Sequence, residues 1–100
     1  MASIRVILPY HLRNLIFNHE ELIFELTAPV TIGKVLDSLE TSYPQLRGTI
    51  RDHTSKARRP FIRYFACKED YSNDPVDKEL PCEVLESREP FLIVGAMAGG

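Results

Sequence analysis

The chain has 100 residues, of which 44% are hydrophobic and 26% charged, with a formal net charge of −2 and two cysteines. This length suits one domain with its own core, and the composition is that of a folded globular protein rather than a disordered chain. A disulfide framework, a zinc-ligand spacing and a strongly basic nucleic-acid surface are all excluded, and Cys67 and Cys82 read as structural residues. No apolar run approaches the ~20 residues of a membrane span, and Met-Ala-Ser runs straight into a strand pattern with no signal core, so a cytoplasmic protein is expected.

Ile4, Val6 and Leu8 alternate with Arg5 and Ile7, which predicts a first strand ending at Pro9. Tyr10 to Ile16 has room for one helical turn. Leu22, Phe24 and Leu26 alternate with Ile23 and Glu25 in a second strand, so the two strands read as a hairpin. After Ala28-Pro29 the period changes to 3.6, with Ile32, Val35, Leu36, Leu39 and Tyr43 on one helical face. Thr31 is placed as N-cap, Val30 and Val35 as a hydrophobic staple, and Pro44 as the stop. Leu46 to His53 reads as a short irregular or helical segment, and Thr54 to Arg59 as a turn. Phe61 to Cys67 is a third strand, apolar on both faces; a long acidic connection through Asn73-Asp-Pro75 follows, and Phe91 to Val94 is the last strand.

Strand, strand, helix, strand, strand is an α+β order. A hairpin followed by a crossover helix and a strand able to pair in parallel with the first gives the β-grasp arrangement: a mixed sheet of about four to five strands with one main helix on one face. The expected layout is one domain over residues 1–100 with a flexible tail from about residue 95. One helix covers one sheet face, so Ile7, Ile23 and part of Phe61 to Phe65 lie on the other. That face is either a docking surface or is covered by the 68–87 segment. Charge is also unevenly spread. Arg47, Arg51, Lys56, Arg58, Arg59 and Arg63 face only Asp52, whereas acidic residues dominate from Glu69 to Glu89. Arg51, Arg58 and Arg59 form a candidate cluster for an acidic partner surface, with internal pairing to the acidic segment as the alternative.

Behind the last strand the chain ends Gly95-Ala-Met-Ala-Gly-Gly100. A diglycine can enter a narrow channel with its backbone in close contact. The α-carboxylate of Gly100, with an ordinary pKa of about 3.5, is ionised at neutral pH and a poor electrophile. Adenylation with ATP would make it a mixed anhydride open to a thiol, persulfide or amine. On these two residues alone, a frayed terminus is an equal reading.

A β-grasp order ending in Gly-Gly resembles the MoaD/ThiS family of ubiquitin-like sulfur carriers. The likeness runs through the first strand with Leu12-Arg13 after it, Val30-Thr31 at the helix start, Leu36 and Leu39 leading to Tyr43-Pro44, and Ala98-Gly99-Gly100. The resemblance implies that Gly100 is adenylated by a ubiquitin-activating-type enzyme using ATP and then carries a thiocarboxylate, with Met97, Ala98 and Gly99 threading the tail into the partner. It also implies a sulfur donor protein and an acceptor enzyme such as a molybdopterin synthase large subunit, with the thiazole of thiamine as the other destination. No metal or tightly bound cofactor is expected on the carrier itself, which is a substrate rather than an enzyme. Gly95-Ala96 and Ser87-Arg88-Glu89 stand where many MoaD-like members have Pro-Pro and a Gly-Asp turn. The extra length at Lys68 to Ser87 favours the MoaD type over ThiS.

Rival readings differ in chemistry. The same activated Gly100 attacked by a lysine amine would make the chain a protein modifier, and a ubiquitin-like binding module would need no activation. Arg58-Arg-Pro-Phe-Ile-Arg-Tyr-Phe65 mixes bases with aromatics as single-strand nucleic-acid binders do, yet alternating aromatics usually fill a core and the sequence pI is about 5.9, so no nucleic-acid partner is expected. His11, His19 and His53 form no metal-ligand or nucleophile motif; His11 and His53 read as surface or partner contacts.

Overall fold

A computed structural model describes residues 1–95. The N-terminal alternation forms strand β1 (Ala2–Ile7), with Ile4 and Val6 fully buried. β2 (Leu22–Leu26) pairs antiparallel with it, Ile4 opposite Phe24 and Val6 opposite Leu22. Because side chains alternate along a strand, Ser3, Arg5 and Ile7 share the other face with Ile23 and Glu25. Their connection is a 3₁₀-helix, Tyr10–Ile16, anchored by buried Leu12 and Ile16.

Helix α1 (Ile32–Ser42) begins and ends as its sequence predicts. Thr31 Oγ1 accepts from the Lys34 amide at 3.1 Å, and Ile32, Val35, Leu36 and Leu39 are buried. Pro44 starts a short 3₁₀ turn, Pro44–Leu46, and the chain to His53 continues as turns that bury Leu46 and Ile50.

The remaining strands are β3 (Ile62–Ala66), β4 (Glu69–Asp70) and β5 (Phe91–Gly95). Sheet order is β2-β1-β5-β3-β4. The strand after the helix is therefore not the parallel neighbour of β1, as its place in the sequence suggested. β5 holds that position, pairing parallel with β1 and antiparallel with β3. Both β3 and β5 come from runs apolar on both faces, so the choice between them is made by packing, which seats Phe91 and Ile93 against the helix. Phe91 and Ile93 are fully buried toward the helix, and the Phe91 ring lies 5.8 Å from that of Tyr64 on β3.

The 68–87 segment does not fold over the open face. Val76 to Leu80 runs along the start of α1, where the Gly33 amide donates to Val76 O at 2.8 Å and the Leu80 amide to Val30 O at 3.0 Å. A short helix, α2 (Cys82–Leu85), inserts Val84 into the core, and Ser87 fastens its end to β1, accepting from the Arg5 guanidinium at 3.4 Å and donating its hydroxyl to Ser3 O at 2.5 Å. Among the described residues no helix is long and apolar enough to cross a membrane.

Candidate functional site: the open sheet face and the root of the tail

Strand register assembles an apolar row across the three central strands. Ile7 on β1 stands opposite Leu92 on β5, and Leu92 opposite Phe65 on β3. Paired residues point to the same side, so the row lies on the face away from α1, where all three side chains are half-buried. Val94 extends it toward the end of β5, opposite Arg63. Ile23 shares this face but stands at the sheet edge, 61% exposed, beyond the Arg5–Glu21 ion pair. Of the two isoleucines expected to dock a partner, Ile7 thus belongs to the row and Ile23 to its periphery. The sequence named part of Phe61 to Phe65 for this face, and the register selects Phe65. Leu92 and Val94 escaped notice because their strand neighbour could not be read from the chain.

The row leads to the place where the tail leaves the sheet. Gly95, opposite Ile62, is the last described residue. Met97, Ala98, Gly99 and Gly100 lie outside the described residues. Beside Gly95 is a depression of about 430 Å³ walled by Ile7, Leu8, Pro9, His11, Leu92 and Val94. His11 comes so close that a Cβ built on Gly95 would stand 2.7 Å from its Cε1. Exposed Tyr10 and Phe61 flank this region; Arg13 lies over the Tyr10 ring at 5.8 Å, and its Nε donates to Leu8 O.

The candidate arginine cluster is divided by the fold. Arg51 is 4% exposed: its Nε donates to Glu40 Oε2 at 2.9 Å and its Nη2 reaches Asp37, so no part of it is left for a partner. Arg58 is half-buried and donates to the carbonyls of Ser72 and Ile62. Both are taken up by internal acceptors, Arg51 by carboxylates on α1 and Arg58 by backbone carbonyls. Arg59 alone of the three is exposed, and it lines a depression with His11, Thr49 and Phe61, next to the tail root.

No nucleophile and base meet among the described residues. The Cys67 thiol is pushed up by partial burial and then by the carboxylates of Glu83, Glu89 and Glu69, which keeps it protonated at neutral pH. His11, His19 and His53 are all exposed. No cluster of three or more His, Cys, Asp or Glu side chains suited to a metal occurs among the described residues.

No protein-family model matches the chain, and no curated protein matches it by sequence. Solved structures match nearly all of it. A chain of the BexX/CysO complex of Amycolatopsis orientalis superposes with a TM-score of 0.74 at 18% identity, covering 97% of this chain and 99% of that one. Small archaeal modifier protein 1 of Haloferax volcanii gives 0.77 at 12% identity, covering 97% and 100%. CysO of Mycobacterium tuberculosis, described as an antigen, gives 0.70 at 18% identity, covering 94% and 99%. The five-stranded mixed sheet packed on one main helix is therefore the ubiquitin-like β-grasp fold shared with these small proteins.

Proposed function

We propose that the chain is a ubiquitin-like sulfur carrier whose Gly100 carboxylate is activated and loaded by partner enzymes. One observation carries the reading: the tail departs from β5, the central strand, at the rim of an apolar row that α1 leaves uncovered. β5 pairs with β1 at Phe91 and Leu92 and with β3 as far as Gly95, so the root of the tail is presented from the sheet itself to whatever docks on that face.

The carrier contributes position and a carboxylate; acid–base groups and metal belong to its partners. In the first step the Gly100 carboxylate attacks the α-phosphorus of ATP, giving an acyl adenylate and pyrophosphate. A persulfide on a donor protein then displaces AMP, and reductive cleavage of the resulting acyl disulfide by a thiol leaves the thiocarboxylate. The acceptor is a cofactor precursor, with the molybdopterin type placed ahead of thiamine by the added length at Lys68 to Ser87. A second reading, isopeptide conjugation to lysine, is favoured by the likeness to a protein described as a modifier. Both begin with the same adenylate.

Intact-mass measurement of the protein from its own cells tests the proposal. A gain equal to one oxygen-to-sulfur exchange, localised to Gly100 by fragmentation, is the expected result. Gly100-dependent conjugates in a lysate without that exchange would move the assignment to the modifier. If ATP and the organism's activating enzymes give no Gly100 adduct at all, both fall in favour of a plain binding module.

A further inference from the structure

We propose that His11 is a positioning residue for the tail: its imidazole fills the space that a side chain on Gly95 would take and so fixes the backbone from which the tail departs. The inference rests on the carrier reading above and adds a residue that no family motif in the chain marks.

The geometry is specific. A Cβ on Gly95 would lie 2.7 Å from His11 Cε1, 3.2 Å from its Nδ1 and 3.5 Å from Pro9 Cβ. The first distance is far inside van der Waals contact, so the ring occupies the space a side chain would need. Both partners are anchored from behind. Gly95 closes the β3–β5 ladder opposite Ile62. His11 sits in the 3₁₀-helix between Leu8 and Leu12, which are 1% and 5% exposed, and the Leu12 amide donates to Pro9 O at 3.0 Å.

The imidazole itself is exposed and forms part of the wall of three adjoining depressions of about 490, 430 and 280 Å³. Five residues follow Gly95 in the sequence, and five residues reach at most ~18 Å even when fully extended. An enzyme that seats Gly100 in its active site must therefore close over the surface around Gly95, which includes the exposed His11 ring. At that remove from the carboxylate the ring transfers no proton; it acts by limiting where the tail can start. Glycine is the residue whose backbone is least restricted by itself, so an external wall has most effect there. A tail root already fixed at Gly95 leaves less to be ordered when the enzyme closes over it.

The test is ATP–pyrophosphate exchange catalysed by the cognate adenylating enzyme on the full chain, with KM for the carrier and kcat determined separately. His11→Ala is expected to raise KM about 10-fold with kcat within about 2-fold and an unchanged melting temperature. His11→Phe, which keeps a flat ring, should restore the wild-type KM. Gly95→Ala should swing the exposed ring aside at little cost to the fold and raise KM as His11→Ala does. Because both changes remove one contact, the double variant should be no worse than either single one. Equal KM for His11→Ala and wild type overturns the proposal. So does a lowered kcat with a matching loss of thermal stability, which marks a folding role only. Wild type showing no Gly100-dependent exchange removes the carrier reading and the proposal with it, a result distinct from an active wild type with indifferent variants.

Discussion

Arg51 and Glu40 form an ion pair in which both side chains are buried, 4% and 7% exposed, with Nε 2.9 Å from Oε2 and Nη2 3.1 Å from Oε1. The contact is bidentate, and it pins the turns after α1 to the helix itself. Asp37, one turn earlier on α1, takes the same guanidinium from the solvent side, and Lys56 Nζ approaches Glu40 Oε1 at 3.6 Å. Burial alone would lower the Arg51 pKa, but the hydrogen bonds and charges of Glu40 and Asp37 outweigh it and hold the pKa above its ordinary value.

Breaking this pair from one side strands the other charge. Arg51→Ala should cost about 3–5 kcal/mol of stability by urea unfolding. Replacing both partners, as in Arg51→Met with Glu40→Leu, should recover most of that loss. A cost under about 1 kcal/mol for Arg51→Ala would mean the pair behaves as a surface bridge.

Across the sheet, the apolar row sets a second expectation. Leu92→Ala removes the middle of the row Ile7–Leu92–Phe65 and, on the proposed carrier role, should weaken binding to an adenylating enzyme by about 10-fold or more. Ile23→Ala, at the periphery of the same face, should change it by less than about 2-fold. Calorimetric titration of the two variants against one partner decides the matter; the reverse order would place the interface on the β2 edge.

Tyr64 gives the fold an alkaline limit. Burial pushes its phenol up to about 12 from the ordinary 10.0, against the opposing pull of Arg51 and Arg58. Between those values the unfolded chain has lost the proton that the folded chain still holds, so stability falls as pH rises through that window. Below pH 10 the group is neutral in both states and contributes no slope. Urea midpoints for wild type should decline between pH 10 and about 12, and Tyr64→Phe should decline less. Identical slopes for the two would assign the decline to other groups.

Gly33 governs how the acidic segment is fastened to α1. Its amide donates to Val76 O, and an added Cβ would stand 3.2 Å from that oxygen and 3.4 Å from Val76 Cβ. Alanine there gains helix propensity of about 1 kcal/mol and must push Val76 back by a few tenths of an ångström. Gly33→Ala is therefore expected near neutral, while Gly33→Val adds bulk at the same contact and should destabilise by about 1–3 kcal/mol. Hydrogen exchange of the amide at position 33 and of the Leu80 amide in Gly33→Val should accelerate well ahead of the core strands; uniform exchange would tie the segment to global unfolding.

Much of this fold could be read from residue order. Thr31, the Ile32/Val35/Leu36/Leu39 stripe and Pro44 each act locally, so α1 is legible from end to end. The strands are legible as runs, but their sheet order is not, because Phe61–Cys67 and Phe91–Val94 are similarly apolar and only packing decides which one lies beside β1. Glu69–Asp70 and Cys82–Leu85 are too short to show a period. Arg51 and Arg59 look alike in the sequence; what separates them is the proximity of Glu40 and Asp37, a tertiary fact. The row Ile7–Leu92–Phe65 and the meeting of His11 with Gly95 join opposite ends of the chain, and no local pattern records such a meeting.

The central placement of β5 also orders events during synthesis. Until Phe91–Gly95 emerge from the ribosome, the β1–β2 hairpin and the β3–β4 hairpin have no strand in common, and the apolar side chains meant for β5 to cover remain open. The sheet closes only when the segment bearing the tail arrives. A chain released early therefore never assembles the open face.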